Sequence, residues 1–327
     1  MIDSMRIGRA IKTLREKAGL TQKELAEQIF VSNMAVSKWE SGKSIPDIAT
    51  LKRLSKALSM DIDGLIDATA TYMDDSWRGI LQLKGTSAST IIYDKPLIDY
   101  ALSYFLLAGI RDITVTCGTE DKEYIKERFA AGERLGIRLH CRTDDEQMRE
   151  KNGDEHFMLV SEPFFIYGVD LTRFLQRGMQ HRNAVVNLAC VVGKYKRIQA
   201  AELLNEEKKG SFSQYDYEAT PFYFFTYNRN EKGKCGYYPE NYLNQQKNDG
   251  QVIYEPMDKG FLTISTNTAA GCESAAAFVK MLQELNGFLL YCPFEIAWRR
   301  GMISKAKMLE EAGAFTEYRE YVHSLIS

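Results

Sequence analysis

The sequence predicts an α plus α/β fold in two domains, on three observations. Residues 1–67 are punctuated as five short helices, residues 68–76 (ATATYMDDS) lose apolar periodicity, and from Trp77 onward short β-branched runs alternate with helical ones. The domains are expected at 1–67 and 77–327 with 68–76 as a linker, and 327 residues are ample for two cores.

In the first domain, Ile7, Ile11 and Leu14 recur at helical spacing and Gly19 closes the run, giving a helix over 5–17. Thr21 is an N-cap, and Glu24 three residues on completes a capping box ahead of Leu25, Ala26 and Ile29, so a second helix follows and ends near Phe30. After a tight turn, Ser32 caps a third helix carrying Met34, Ala35, Val36 and Trp39, which Gly42 closes. Pro46 and Asp47 start a fourth through Leu51, Leu54 and Leu58, and 62–66 is long enough for a short fifth.

In the second domain, the runs at 113–116 and 184–188 read as strands and those at 97–108 and 122–129 as helices. That alternation predicts an α/β domain with a largely parallel sheet. From Ala275 onward the reading is helical.

Composition narrows the function classes. With 45% apolar and 26% charged residues the chain is an ordinary globular one, neither disordered nor disulfide-rich. No apolar run reaches the ~18 residues a membrane helix needs. The charged residues 1–15 do not resemble a signal peptide, so a cytoplasmic location without membrane partners is expected. Six cysteines (Cys117, Cys141, Cys190, Cys235, Cys272, Cys292) show no metal-ligand spacing, and four histidines give catalysis little material. No metal site and no cofactor are expected. Residues 1–67 hold 11 Lys/Arg against 9 Asp/Glu, a small lean toward a polyanion.

The stretch 21–42, TQKELAEQIFVSNMAVSKWESG, resembles the helix-turn-helix of phage repressor and Cro-type (XRE-like) regulators, and the resemblance covers residues 5–66. It implies a sequence-specific transcription regulator whose second helix crosses the backbone of double-stranded DNA while the third enters the major groove. The implied DNA-binding residues are Gln22, Ser32, Asn33, Met34, Ser37, Lys38 and Lys43. Asn33 is suited to bond adenine bidentately, Ser37 to several bases, Lys38 to guanine or phosphate, Lys43 to phosphate, and Gln22 to phosphate at the positive end of helix two. The alternative for Asn33 and Ser37 is a solvated helix face. Trp39 is assigned to the core and Glu40 to an ion pair with Arg15, while Arg6 and Arg9 are candidates to add backbone charge. Such domains bind as dimers on half-sites ~34 Å apart, so a homodimer is expected.

From Trp77 on, the chain resembles sugar-1-phosphate nucleotidyltransferases, in particular glucose-1-phosphate thymidylyltransferase. The resemblance is strongest at 92–100 (IYDKPLIDY), 106–113 (LLAGIRDI) and 292–301 (CPFEIAWRRG). It implies a Rossmann-like fold. The departures fall on the chemistry. The family's glycine-rich phosphate loop is about a dozen residues short, leaving Lys84 and Gly85. The family's Gly-Asp-Asn falls on Glu162-Pro163-Phe164, with Glu162 one position off and facing away if the segment is a strand. The second metal-binding aspartate is replaced by Ser265, and the base-reading segment shrinks to 142–147. Losing in-line positioning and charge neutralisation together implies a pseudoenzyme with no catalytic residues.

The same resemblance points to the family's second, regulatory nucleotide site. The matching positions are Leu107, Gly109, Tyr167, Gly168, Asp170, Lys259, Glu295, Ile296 and Arg299, with Val169 in place of a histidine. They imply an effector site for a nucleotide or nucleotide sugar, or else they persist for folding and dimer contacts. The competing functional reading is an active sugar-1-phosphate nucleotidyltransferase with an appended DNA-binding domain; a third makes the second domain a passive dimer or docking module.

Overall fold

The computed structural model describes residues 4–58, 76–148, 155–168, 170–192, 216–227, 238–257 and 259–325. The expected fifth helix at 62–66, the linker up to residue 75, Val169, Cys235 and the side chains of Arg6 and Arg9 lie outside what is described. The chain divides into two compact units, the first drawn mainly from Met1–Asp74 and the second from Asp75–Trp298 and Met302–Ser327.

In the first unit, helices α1 (Ser4–Lys17), α2 (Gln22–Gln28), α3 (Asn33–Glu40) and α4 (Ile48–Ala57) enclose Ile11, Leu25, Ile29, Val36, Trp39 and Leu54. The capping box forms at α2: Thr21 Oγ1 accepts from the Glu24 amide at 3.2 Å, and the Thr21 amide donates to the Glu24 carboxylate at 2.7 Å. Both bonds satisfy donors that a helix start leaves orphaned. These bonds, backbone first, hold the fully exposed Glu24 carboxyl below its usual range. The fourth helix starts one residue later than Pro46-Asp47 suggested, because Asp47 is itself the cap, accepting from the Thr50 amide at 2.7 Å.

Two close packings fix α1 on α3. A Cβ built on Gly8 would lie 1.9 Å from the Trp39 carbonyl oxygen, so only glycine allows this crossing. Arg15 donates from Nε to Glu40 at 2.6 Å and from Nη2 at 3.1 Å, the bidentate geometry that suits a guanidinium and a carboxylate. The turn between α2 and α3 runs through Phe30 at φ 56, and the Val31 amide reaches back to the Ala26 carbonyl at 2.9 Å. That left-handed position is one glycine usually fills.

The second unit is built on a seven-stranded sheet in the order β10-β8-β9-β6-β1-β4-β5. Its strands are β1 (Trp77–Gln82), β4 (Asp112–Thr116), β5 (Arg138–Arg142), β6 (Glu155–Val160), β8 (Val185–Val192), β9 (Asp216–Tyr227) and β10 (Val252–Pro256). The pairs β1 with β4, β1 with β6, β4 with β5 and β8 with β10 are parallel, and β9 alone runs antiparallel to its neighbours β6 and β8. Two short ribbons join it, β2 (Ile91–Ile92) with β3 (Lys95–Pro96) and β7 (Phe164–Tyr167) with β11 (Leu262–Ser265).

Helix Leu97–Ala108 is the hub, buried at every position except the half-exposed Leu107. Tyr104 bridges it to β7, donating to the Phe164 carbonyl and accepting from the Ile166 amide, both at 3.2 Å. Its Asp99 receives Arg128 at 2.7 and 2.6 Å and the hydroxyl of Tyr318. Burial raises the Asp99 pKa, and Arg128 acts against that shift. Through this carboxylate the terminal helix Thr316–Ser324 is tied to the hub. The helical C-terminal part begins at Ala269, ahead of the expected Ala275, because Thr268 caps it by accepting from the Gly271 amide at 3.1 Å.

Candidate functional site

The candidate DNA-reading face lies on α3. Val36 and Trp39 turn inward to the core, which leaves Asn33, Met34, Ser37 and Lys38 together on the exposed face, with Met34 67% exposed. Among the described residues no internal hydrogen bond engages the Asn33 amide or the Ser37 hydroxyl. Ser32 is exposed but already employed: its Oγ accepts from the Ala35 amide at 3.2 Å, leaving its proton to donate. Gln22 is half-buried and donates Nε2 to Glu40 Oε2 at 2.7 Å. Its remaining side-chain N–H is what a phosphate contact has to use. Glu40 therefore organises α1, α2 and α3 at once, a role the sequence showed only for Arg15. Lys43 is exposed in the turn after α3.

The second candidate region is the carboxyl edge of β1, β4 and β6, where open α/β sheets bind ligands. The loop from Leu83 to Thr90 leaves β1 there and is committed internally. Asp121 Oδ1 accepts from the Ser87 hydroxyl at 3.0 Å and the Ala88 amide at 2.8 Å. The Thr86 amide goes to the Leu83 carbonyl at 2.9 Å and the Thr90 amide to the Ser87 carbonyl at 3.2 Å. A phosphate cradle needs such N–H groups aimed outward; here four of the loop's donors are spent on the loop and on helix Thr119–Phe129.

Glu162 follows β6 in a bend and not in a strand, so the expectation that alternation turns it away does not apply. Its carboxylate accepts from Asn267 Nδ2 at 3.0 Å, and Thr86 Oγ1 reaches Asn267 Oδ1 at 3.4 Å. Lys247 lies 4.5 Å over the Tyr223 ring; burial lowers its pKa, against the pull of Glu162. No group of three or more metal-ligating side chains occurs among the described residues. The shortened segment at 142–147 is also closed: Arg142 donates to the Glu146 carbonyl at 2.6 Å and bonds Glu240, while Lys122 holds the Glu146 carboxylate at 2.6 Å. Asp121, Lys247 and Asn267 were not legible in the sequence, since their partners are distant in the chain and no motif marks them.

The nine positions expected to form an effector site fall into two sets. Tyr167 ends β7, Gly168 lies under the Phe261 ring, Asp170 takes φ 62 ahead of helix Leu171–Gln180, and Lys259 precedes β11, whose Leu262 pairs with Tyr167. Leu107 and the left-handed Gly109 end the hub helix, and Glu295, Ile296 and Arg299 lie on helix Pro293–Arg299. Ser103 Oγ donates to the Tyr291 carbonyl at 3.0 Å and Tyr291 OH to the Ile166 carbonyl at 2.7 Å, so hub, β7 and the start of that helix share one junction. Glu295 accepts from Tyr321 OH at 2.7 Å, a bond internal to the fold.

Fold and site together define a two-domain protein: a DNA-binding helix-turn-helix region of the transcription-regulator type, followed by a nucleotidyltransferase-like α/β domain with a helical C-terminal part. A family profile described as "Helix-turn-helix" matches residues 11–65. The HTH-type transcriptional activator BcrR of Enterococcus faecalis is 47% identical over 62 residues, covering 19% of this chain and 30% of that protein. Glucose-1-phosphate thymidylyltransferase of Neisseria meningitidis serogroup A is 27% identical over 259 residues, covering 72% of this chain and 90% of that protein. Among solved structures, a putative glucose-1-phosphate thymidylyltransferase from Bacillus anthracis matches at 14% identity and TM-score 0.42, over 62% of this chain and 94% of that one. No helix among the described residues is long and apolar enough to cross a membrane.

Proposed function

We propose that the chain is a cytoplasmic, sequence-specific DNA-binding transcription regulator that acts as a homodimer, with residues 1–67 reading DNA and 77–327 serving as a catalytically disabled sensor of a nucleotide or nucleotide sugar. The observation that carries the first half is the exposed α3 face, where Asn33 and Ser37 keep their hydrogen-bonding groups uncommitted beside Lys38. In this reading Gln22, Ser32, Met34 and Lys43 flank the base-reading pair. Asn33→Ala is expected to cost about 1–3 kcal/mol at a cognate operator and leave non-specific binding nearly intact. Titration of both DNAs in a fluorescence-anisotropy assay checks this, and equal loss on all sequences would remove Asn33 as a reader.

The second half rests on the spent loop at 83–90 and on Glu162 paired to Asn267. Nucleotidyl transfer needs a triphosphate held and neutralised in line, and here four of the loop's donors and the Glu162 carboxylate are already engaged within the fold. The effector set at Leu107, Gly109, Tyr167, Gly168, Asp170, Lys259, Glu295, Ile296 and Arg299 is the proposed sensing site. An effector that prefers one dimer geometry would change half-site spacing, and a coupling of about 1–3 kcal/mol shifts DNA affinity several-fold to a hundredfold. Thermal melting with dTTP, UTP, dTDP-glucose and UDP-glucose tests it, and the absence of any shift would sink the sensor. Pyrophosphate release from a nucleoside triphosphate and a sugar phosphate with magnesium would instead favour the active-enzyme reading.

A further inference from the structure

Helix Ala269–Asn286 packs one face on its own domain, with Ala275 and Val279 fully buried and Ala276 and Leu282 half-buried beside them. Its opposite face carries Ala270, Ser274, Ala277, Met281 and Leu285, spaced at four, three, four and four residues and all exposed, Met281 at 48% and Leu285 at 76%. This stripe is uncharged along about four turns, about 22 Å of helix at 1.5 Å per residue. Ser274 does not break it, because its hydroxyl donates to the Ala270 carbonyl at 2.8 Å. The charged residues Glu273, Lys280 and Glu284 run along one flank, and Lys280 lies 3.9 Å from the Glu284 carboxylate of its own helix, an exposed pair that leaves it further donors.

Size and charge both vary along the stripe in a way that matches its own reverse. The N-terminal half is small and the C-terminal half is large. A second copy laid antiparallel, with a two-fold axis near Ala277, sets each Met281 and Leu285 over the partner's Ser274 and Ala270. The same arrangement brings each Lys280 to the partner's Glu273, and symmetry repeats both contacts. Small residues at the crossing let the two axes approach to the short end of the 8–10 Å range typical of packed helices. A parallel pair would stack Leu285 on Leu285 and Lys280 on Lys280 and gain neither match.

From this self-complementarity we infer that the exposed face of helix Ala269–Asn286 is the homodimer surface, and that its occupant is the same helix of a second copy of this chain. The inference rests on the proposed dimeric regulator and locates its interface. It also links that interface to the effector set: Phe278, next to Ala277, packs edge-on against Tyr167 with ring centroids 5.5 Å apart. A ligand that moves Tyr167 therefore acts on the helix that joins the two copies.

The test uses the full-length chain. Sedimentation equilibrium is expected to show a dimer that the double variant Met281→Glu, Leu285→Glu weakens roughly 30-fold or more, as loss of central anchors does. Far-UV circular dichroism and melting establish that the variant is folded. Lys280→Glu should weaken the dimer and adding Glu273→Lys should restore it, a rescue that misfolding does not give. Ala277→Cys should form a covalent dimer on mild oxidation where the unmodified chain does not, because only a residue near the axis meets itself. A folded double variant with wild-type affinity overturns the surface, and failure of Ala277→Cys to crosslink overturns the antiparallel arrangement. If the wild-type chain is a monomer that still selects an operator, the interface falls while the DNA-binding reading stands.

Discussion

The exposed face of α3 and the loop from Leu83 to Thr90 both place polar groups at the surface, yet they differ in what those groups are doing. On α3 the cap is made by Ser32 alone and the pair Arg15–Glu40 is satisfied behind the helix, so Asn33 and Ser37 are left over for a partner. In the loop, Asp121 and the loop's own carbonyls absorb the donors. The lesson is that a site is judged by the hydrogen-bonding capacity it has not spent. On α3 the candidate reading groups are unspent, whereas in the loop four donors already have partners inside the fold.

The largest effect that would break the comparison is expected at Gly8. Gly8→Ala drives a methyl into the Trp39 carbonyl, and overpacking of this kind costs about 1–3 kcal/mol, here at the upper end because backbone meets backbone. DNA binding should fall on every sequence alike, seen together with loss of the first unit's cooperative melt. A variant that melts normally would show that α1 shifts freely on α3.

Asp121→Ala comes next. It removes the acceptor of two loop bonds, one from an exposed hydroxyl and one from a part-buried amide, a combined loss of about 1–2 kcal/mol. Hydrogen exchange should speed up at Ala88 and its neighbours while pyrophosphate release stays at background. Gain of transferase turnover in this variant would mean that the loop is merely latched, and the contrast with α3 would become one of degree.

Phe30→Gly sharpens the other side. Phe30 is 83% exposed and sits at φ 56, so glycine loses little packing and relieves a left-handed conformation that costs roughly 1–2 kcal/mol for a residue with a side chain. The first unit should melt at a higher temperature with operator affinity retained. Reduced affinity despite higher stability would show that the exposed ring has a binding role.

The smallest effect concerns acid. Glu24 has a folded pKa below its unfolded value, so its stabilisation is present above the unfolded pKa and disappears as pH falls through the folded one. Glu24→Gln should flatten the loss of stability of α2 below the ordinary carboxylate range, measured by circular dichroism melts from pH 6 downward. An unchanged acid profile would remove the capping box as its cause.

Much of the first unit was legible because its signals are local. Thr21 and Glu24, Ser32, and Gly42 act on groups within a few residues, and the helix boundaries they imply are those found to within a residue or two. The start of the fourth helix, expected at Pro46 and Asp47, falls at Ile48 because Asp47 is its cap, and the second helix ends at Gln28, two residues short of Phe30. In the second unit the hub helix at 97–108 was read with its observed ends, and Pro96 and Gly109 stand at its two caps. The orientation of Glu162 was left conditional on a strand; the residue lies in a bend, where chain geometry is set by tertiary neighbours such as Asn267.

By itself, then, the sequence determined the capped helices, the exposed and buried faces of α3, the alternation of strand and helix, and the shortening of the loop after β1. All of these depend on groups close along the chain or on a length that can be counted. Only the tertiary structure decided that Glu40 joins three helices, that Asp121 engages the loop, that Asp99 holds the terminal helix through Tyr318, and that one face of helix Ala269–Asn286 is exposed. The physical reason is that a side chain's unspent capacity is a remainder, known only after every neighbour brought near by folding has taken its share.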